Sequence, residues 1–97
     1  MAEIRYADKH IMRLCTDARF RQKQLGQQAA KHLVNRLVEV QSVAVVENLL
    51  ATTGQWEELT GNRSGQWSAH LGKNWRLIAQ ARRGDILVLL IEIVDYH

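Results

Sequence analysis

The chain changes its hydrophobic periodicity at about Ala51. Before this point apolar residues recur every three or four positions, as in helices that bury one face, and after it apolar and polar residues alternate, as in strands. A chain of 97 residues builds one small domain around a single core. We therefore predict an α+β fold over residues 1–97, in which two or three N-terminal helices pack on one face of a small antiparallel sheet.

Two helices are indicated in the first half. Asp8 is placed to cap the first helix. Its apolar stripe consists of Ile11, Leu14, Cys15 and Ala18. A longer amphipathic helix follows, with the stripe Leu25, Ala29, Leu33, Leu37 and Val40. Ser42 is placed to cap a further short helix through Leu50, although the β-branched valines of this segment disfavour a helix.

Turn-forming glycines divide the second half into short strands. We predict strands at about 56–60, 66–71, 75–81 and 86–94, with a short first strand at 3–6. The connections are short, which favours antiparallel pairing.

The alternation separates two faces of this sheet. The face under the helices is predicted to carry Trp67, Ala69, Leu71, Trp75, Leu77, Ala79, Ala81, Ile86, Val88 and Leu90. The other face is predicted to carry Gln66, Ser68, His70, Arg76, Ile78, Gln80, Leu87, Leu89, Ile91 and Ile93, and to continue to Asp95 and His97. Simple hairpins place Arg76 opposite Ile91. An extended chain would then carry His97 roughly 20 Å beyond Arg76, so either the tail bends or the register differs.

The charge is small overall but uneven. Thirteen Lys and Arg against ten Asp and Glu give +3, yet no acid occurs between Glu58 and Asp85. The cations of this segment are Arg63, Lys73, Arg76, Arg82 and Arg83. We predict a local basic surface, which is either an ordinary solvated face or a phosphate-binding one. Charge alone does not distinguish RNA, DNA or an acidic protein as the partner.

Other classes of protein are disfavoured. A single cysteine, Cys15, excludes an internal disulfide, and the first residues lack the pattern of a secretory signal, so we expect a cytoplasmic protein. The longest apolar stretch is far shorter than the roughly 20 residues that span a bilayer, so no membrane association is expected. No histidine has a partner at ligand spacing, so we predict no metal site and no cofactor.

Two residues have the chemistry of a catalytic site. The guanidinium of Arg76 can bind a phosphate and stabilise charge that develops during phosphoryl transfer; the alternative is a surface arginine that covers Ile78. His97 titrates near neutral pH and can act as a general acid or base; the alternative is an unimportant chain terminus.

Three further residues are candidates for the site, and for each of them a role without chemistry is also open. Tyr96 can donate a hydrogen bond to a phosphate or stack on a base. Asp95 either orients His97 or ends the strand. Glu57 is a possible acid or base, but the adjacent Glu58 shows that an exposed glutamate is common there.

Three segments carry a family resemblance: LTGNRSGQWS at 59–68, KNWRLI at 73–78 and EIVDYH at 92–97. Together they resemble the HigB-like, killer-protein branch of the RelE/ParE toxin superfamily. The resemblance implies a bacterial toxin that cleaves messenger RNA in the ribosomal decoding site without a metal. It also implies a partner antitoxin with a helix-turn-helix domain (HigA-like), through which alone operator DNA is bound.

The resemblance assigns roles to residues of this chain. It implies that Arg76, Asp95, Tyr96 and His97 contribute to the active site and that Glu57 corresponds to a position held by histidine or glutamate. The residues expected to contact RNA are Arg63, Gln66, His70, Lys73, Arg82 and Arg83. Thr60 and Asn62 stand where many members have lysine and aspartate, which removes a cation and an anion. Two alternatives stay open: a ParE-like inhibitor of DNA gyrase without nuclease activity, and a degenerate toxin that only binds its antitoxin.

Overall fold

The computed structural model describes residues 2–95. The strands are β1 (Glu3–Tyr6), β2 (Glu57–Glu58), β3 (Gln66–Leu71), β4 (Trp75–Gln80) and β5 (Leu87–Asp95). The helices are α1 (Lys9–Thr16) and α2 (Ala18–Ser42), with short 3-10 helices at Val46–Ala51 and Gly61–Arg63. Within the described residues, no helix combines the length and apolar character needed to cross a membrane.

Both helices begin at an aspartate. Asp8 Oδ1 accepts from the Ile11 amide at 2.9 Å, which confirms the predicted cap of α1. Asp17 Oδ1 accepts from the Phe20 amide at 3.1 Å and starts α2. The first helix therefore ends before Ala18, which is exposed in α2 rather than part of the α1 stripe. These caps satisfy amide groups that a helix leaves unpaired at its start.

The second helix is interrupted once and ends at Ser42. Gly26 has φ 83° and ψ 168°, a conformation outside the helical region that glycine adopts without steric cost. The predicted stripe faces the core, with Leu33 and Val40 fully buried. The prediction that Ser42 caps another helix is wrong. Its hydroxyl donates to the Glu39 carbonyl at 2.8 Å and so belongs to the end of α2, and the next segment forms only a 3-10 helix.

The five strands form one sheet in the order β1-β5-β4-β3-β2. The strands β2 to β5 pair antiparallel, as predicted. The edge strand β1 pairs parallel to β5, with Glu3 opposite Leu87, so the sheet is mixed. The two helices cover one face, which confirms the predicted α+β fold class.

The core lies between this covered face and the helices. Its fully buried side chains include Trp67, Leu71, Leu77, Val88 and Leu90 from the sheet and Ile11 and Leu33 from the helices. The Trp67 indole also donates to the Ala81 carbonyl at 3.0 Å, which satisfies its one polar atom. Ile86 was predicted to join this face but is 58% exposed, because it lies in the turn before β5 begins.

A β-bulge in β5 changes the predicted register. Ala79 pairs with Leu90 and Ile78 with Glu92, so Ile91 is an extra residue. Beyond the bulge Arg76 lies opposite Val94, three residues from the predicted position at Ile91. The bulge also exchanges the faces. Ile93 packs against the core, and Asp95 lies opposite Trp75 on the covered side, so their predicted placement on the other face is wrong.

A buried ion pair within α2 is hydrogen-bonded to the segment before β2. Arg36 Nε lies 3.3 Å from Glu39 Oε1, and both side chains are nearly inaccessible. The Glu39 carboxylate also accepts from Trp56 Nε1 at 2.9 Å and from the Thr53 hydroxyl at 3.0 Å. A Cβ at Gly54 would lie 2.5 Å from Glu39 Oε1 and 2.6 Å from Arg36 Nη1, so a larger residue here would displace the ion pair. The cluster fixes the chain that leads directly into Glu57.

Candidate functional site

The sheet face turned away from the helices brings three of the predicted site residues together. We call it the open face. Glu57 pairs with Ser68, and His70 in the same strand pairs with Arg76. Directly paired residues share a face and alternate residues of a strand do so too. Glu57, His70 and Arg76 therefore lie on neighbouring positions of the open face, close to where β5 ends.

Arg76 is held against the turn between β3 and β4. Its Nη1 donates to the Trp75 carbonyl at 3.0 Å and lies 3.3 Å and 3.4 Å from the carbonyls of Lys73 and Gly72. The side chain is half-buried. These contacts fix the guanidinium at one end of the sheet. They favour a role in positioning a ligand or balancing its charge over that of a surface arginine without defined contacts.

His70 lies beside this guanidinium in a partly dehydrated position. Burial lowers the pKa of His70, and the positive charges of Arg76 and Arg36 lower it further, while Glu57 acts in the opposite direction. The imidazole is thus kept neutral at neutral pH. A neutral imidazole has one donor and one acceptor nitrogen, so His70 is suited to hydrogen bonding of a ligand.

The other residues predicted to contact RNA are divided between two ends of the sheet. Arg63 donates to Gln66 Oε1 at 2.8 Å and lies 3.6 Å from Glu92 Oε1, so it crosses the open face. Lys73 lies in the β3–β4 turn next to Arg76. Arg82 and Arg83 lie in the β4–β5 turn, at the opposite end of β4.

The predicted single basic surface is therefore wrong. Arg83 pairs with Glu58 at 2.8 Å, and Glu58 lies opposite Trp67 on the covered side. The fold brings acids from outside the 59–84 segment to its cations, which linear spacing does not show. RNA contact by Arg82 and Arg83 stays a prediction, as do the roles of Tyr96 and His97, which lie outside the described residues.

The sequence did not reveal a cleft beside this site. It lies between α2 and the β3–β4 turn, has a volume of about 980 Å³, and includes His70 and Arg76 in its wall. Gln28 and His32 of α2 form the other side, and neither belongs to the apolar stripe of that helix. Gly26 lies in the same wall and interrupts the helix. A glycine at this position was the feature of the sequence that could have indicated the cleft. Among residues 2–95, no three His, Cys, Asp or Glu side chains group as a metal site.

Comparisons with known proteins give a structural likeness without a sequence match. No family model and no curated protein matches the sequence. A YoeB/ParE toxin from Agrobacterium tumefaciens superposes with a TM-score of 0.64 at 13% identity, over 98% of this chain and 99% of that chain. A variant of YafQ from E. coli gives 0.65 at 18% identity, over 98% and 93%. YoeB in a heterotetrameric YoeB-YefM toxin-antitoxin complex from Staphylococcus aureus gives 0.60 at 19% identity, over 100% and 98%.

The described chain thus has the fold of these YoeB and YafQ proteins. At these identities the likeness establishes the fold, over essentially the whole length of each protein. The narrower assignment to the HigB-like branch stays a prediction from the three sequence segments.

Proposed function

We propose that the protein is the toxin of a type II toxin-antitoxin system and that it cleaves messenger RNA at the open face. The observation that carries the proposal is the placement of Arg76, His70 and Glu57 side by side, at the end of the sheet where β5 finishes. The structural neighbours support it, because two of them are described as toxins.

The corrected register supports a shared site for Arg76 and the chain end. Arg76 lies opposite Val94, so the objection that an extended tail would pass roughly 20 Å beyond the guanidinium no longer applies. His97 is three residues after Val94 in the sequence. Asp95 lies on the covered side, so the proposal gives it no direct contact with the substrate.

The proposed reaction is transfer of a phosphoryl group within the RNA. A ribose 2′-oxygen attacks the adjacent phosphorus, the new P–O2′ bond forms and the P–O5′ bond breaks. Glu57 or His97 removes the 2′-hydroxyl proton, and the other group delivers a proton to the departing 5′-oxygen. Arg76 balances the charge that gathers on the phosphoryl oxygens. The products are a 2′,3′-cyclic phosphate and a 5′-hydroxyl, and the scheme uses no metal.

The proposal includes dependence on the ribosome. Thr60 and Asn62, at the start of the 3-10 helix that follows β2, lack the cation and anion that the resemblance leads one to expect there. A site with fewer charged groups gains more from a substrate that the ribosome already holds in place, because positioning contributes a large part of catalysis. We propose a helix-turn-helix antitoxin as the protein partner; a toxin-antitoxin complex among the neighbours supports an antitoxin partner in general.

A brief pulse of expression in a bacterial host tests the proposal. We expect growth arrest, rescue by co-expression of an adjacent helix-turn-helix protein, and new messenger 5′ ends within translated codons. Purified protein that has been stripped of metal with EDTA, and then freed of the chelator, should generate the same ends on ribosome-bound message.

One alternative has its own support, because a neighbour is described as a YoeB/ParE toxin. Under this alternative the protein inhibits DNA gyrase, and the pulse produces DNA damage without message cleavage. Normal growth with confirmed soluble protein and intact message would instead indicate a degenerate toxin.

A further inference from the structure

The cleft between α2 and the β3–β4 turn is continuous with the candidate site. Its volume of about 980 Å³ falls within the range of about 300–1,000 Å³ found for ligand sites. Residues 25–29 and His32 form one wall, and residues 70–76 form the other. A smaller cleft of about 240 Å³ extends it past His32 and His70 to Arg36. His70 and Arg76 belong to both the open face and the cleft. A single-stranded nucleic acid bound at the open face therefore also reaches the cleft.

Among the described residues, the charged side chains that line this cleft are all cationic. None of the described residues that line either part is Asp or Glu, although the chain contains ten acids. Lys73, Arg76 and the imidazoles of His32 and His70 supply the positive or hydrogen-bonding groups. Lys73 is exposed and forms no ion pair with any residue of the described range. A concave, positive wall of this kind concentrates anions.

The remaining lining residues distinguish a nucleotide from a simple anion. Gln27, Gln28 and Asn74 place three amide side chains in the cleft, and the half-buried Trp75 adds an indole. Amides match the donor and acceptor pattern of base edges, and aromatic rings stack on bases. An acidic peptide fits less well, because acidic motifs are recognised by clusters of arginines and other peptides at open sheet edges or in apolar grooves. The polar groups of the main cleft are mostly amides and imidazoles, with one arginine. At this end of the sheet β3 and β4 are paired with each other.

We propose that this cleft binds the RNA nucleotide next to the cleaved one, with Lys73 and His32 at its phosphate and Gln28 and Asn74 at its base. The inference rests on the proposed function, since it extends the path of the substrate beyond the open face. It assigns a binding role to residues of α2, an element that none of the sequence motifs includes.

The test measures binding apart from cleavage. The probe is a short single-stranded RNA with 2′-O-methyl groups, which lacks the attacking hydroxyl, and its affinity is measured by fluorescence anisotropy over a range of salt concentrations. The double variant Lys73→Gln/His32→Gln should bind about tenfold more weakly, and the dependence on salt should become shallower by about one phosphate contact. The matched control is Lys31→Gln, which removes an exposed lysine from the same helix outside the cleft, and it should bind as the unaltered protein does.

Two further readouts locate the site and separate the two proposals. Addition of the probe should shift the NMR signals of the His32 ring, and the double variant should raise KM for ribosome-bound message more than it lowers kcat. Bound probe at His32 without message cleavage would overturn the proposed function and keep the cleft as an RNA site. Normal cleavage, KM and probe affinity in the double variant would overturn the inference alone. Absence of both binding and cleavage, or stronger binding of an oligoglutamate peptide than of the RNA at His32, would also overturn the inference.

Discussion

The turns at the two ends of β4 both contain cationic residues, but the groups that surround these cations differ. At the β4–β5 turn, Glu58 pairs with Arg83 at 2.8 Å, Asp85 accepts from the Arg82 amide at 2.8 Å, and Glu47 accepts from the Gly84 amide at 2.7 Å. The Gly84 hydrogen bond is the main reason that the pKa of Glu47 is lowered. At the β3–β4 turn, Lys73 lines a cleft whose described lining contains no carboxylate. A cation therefore indicates a binding surface only where the fold brings no acid of the described residues to it, as at Lys73.

The largest expected difference between the two turns is in catalysis. Arg76→Gln should reduce message cleavage by about 100- to 1,000-fold, the loss typical when a group that stabilises transition-state charge is removed. Because the guanidinium donates to turn carbonyls, melting curves must accompany the kinetics. Arg76→Lys keeps the charge and should retain part of the activity. A stably folded Arg76→Gln protein with full cleavage would place the chemistry elsewhere.

A second effect concerns His97, which follows in sequence the part of β5 that pairs with Trp75 and Arg76. Replacing His97 with Gln, or deleting it, should lower the rate of cleavage at least about tenfold, because general acid or base catalysis typically contributes 100- to 10,000-fold. Ribosome-dependent cleavage by the purified variants is the measurement, and their melting temperatures should change little. Full activity after the deletion would transfer the proton-exchange role to Glu57.

A smaller effect is the electrostatic coupling at the β3–β4 turn. Arg76→Gln should raise the pKa of His70 and Glu57→Gln should lower it, since these groups act in opposite directions on the imidazole. Arg83→Gln, at the other turn, should leave it unchanged. NMR titration of the His70 ring measures all three. If the pKa of His70 changed in Arg83→Gln but not in Arg76→Gln, the imidazole would be coupled to the β4–β5 turn and not to the β3–β4 turn.

The same titration has a consequence for stability. The folded state favours neutral His70, so this group's contribution to stability is present above its unfolded pKa of about 6.5 and is lost as pH falls through the lower folded value. Melting temperatures should therefore fall on acidification below about pH 6.5, and His70→Gln should reduce that fall. An equal fall in the variant would assign it to other groups.

The smallest expected effect is at the β4–β5 turn itself. Arg83→Gln should change cleavage by no more than about twofold, the range usual for surface substitutions. Its ion pair with Glu58 is solvent-exposed, and such pairs contribute little. A loss comparable to that of Arg76→Gln would show that both turns contact the substrate.

The sequence predicted those features that depend on local spacing. The cap at Asp8, the stripe from Leu33 to Val40 and the buried alternation of Trp67 and Leu71 follow from the periods of a helix and a strand. Arg76, His70 and Glu57 were correctly assigned to the sheet, and the structure brings them to one face. The family motifs did not include His32 or Gln28, because a polar side chain on a helix gives no local sign of the turn that faces it.

Other features depend on partners distant in sequence. The acids that pair with Arg63 and Arg83, Glu92 and Glu58, lie at least 25 residues away in both cases. The parallel pairing of β1 with β5 joins the two ends of the chain. A mostly apolar segment such as 86–94 has the same sequence pattern whether or not its strand contains a bulge. The pattern therefore did not determine the register of β5 or the face on which Asp95 lies.

The bulge at Ile91 divides β5 into two segments that are out of phase by one residue. Removal of that residue would make Leu90 and Glu92 consecutive, so their pairs with Ala79 and Ile78 would follow one another in a regular ladder and the later side chains would keep their faces. Loss of the bulge with Ile91 retained would instead shift the register by one residue. Glu92 and Val94 would then turn toward the helices, the core would lose Ile93, and Arg63 would lose its ion pair with Glu92. The bulge thus accommodates one surplus residue, so that the last part of β5 presents the same side chains as a regular strand one residue shorter.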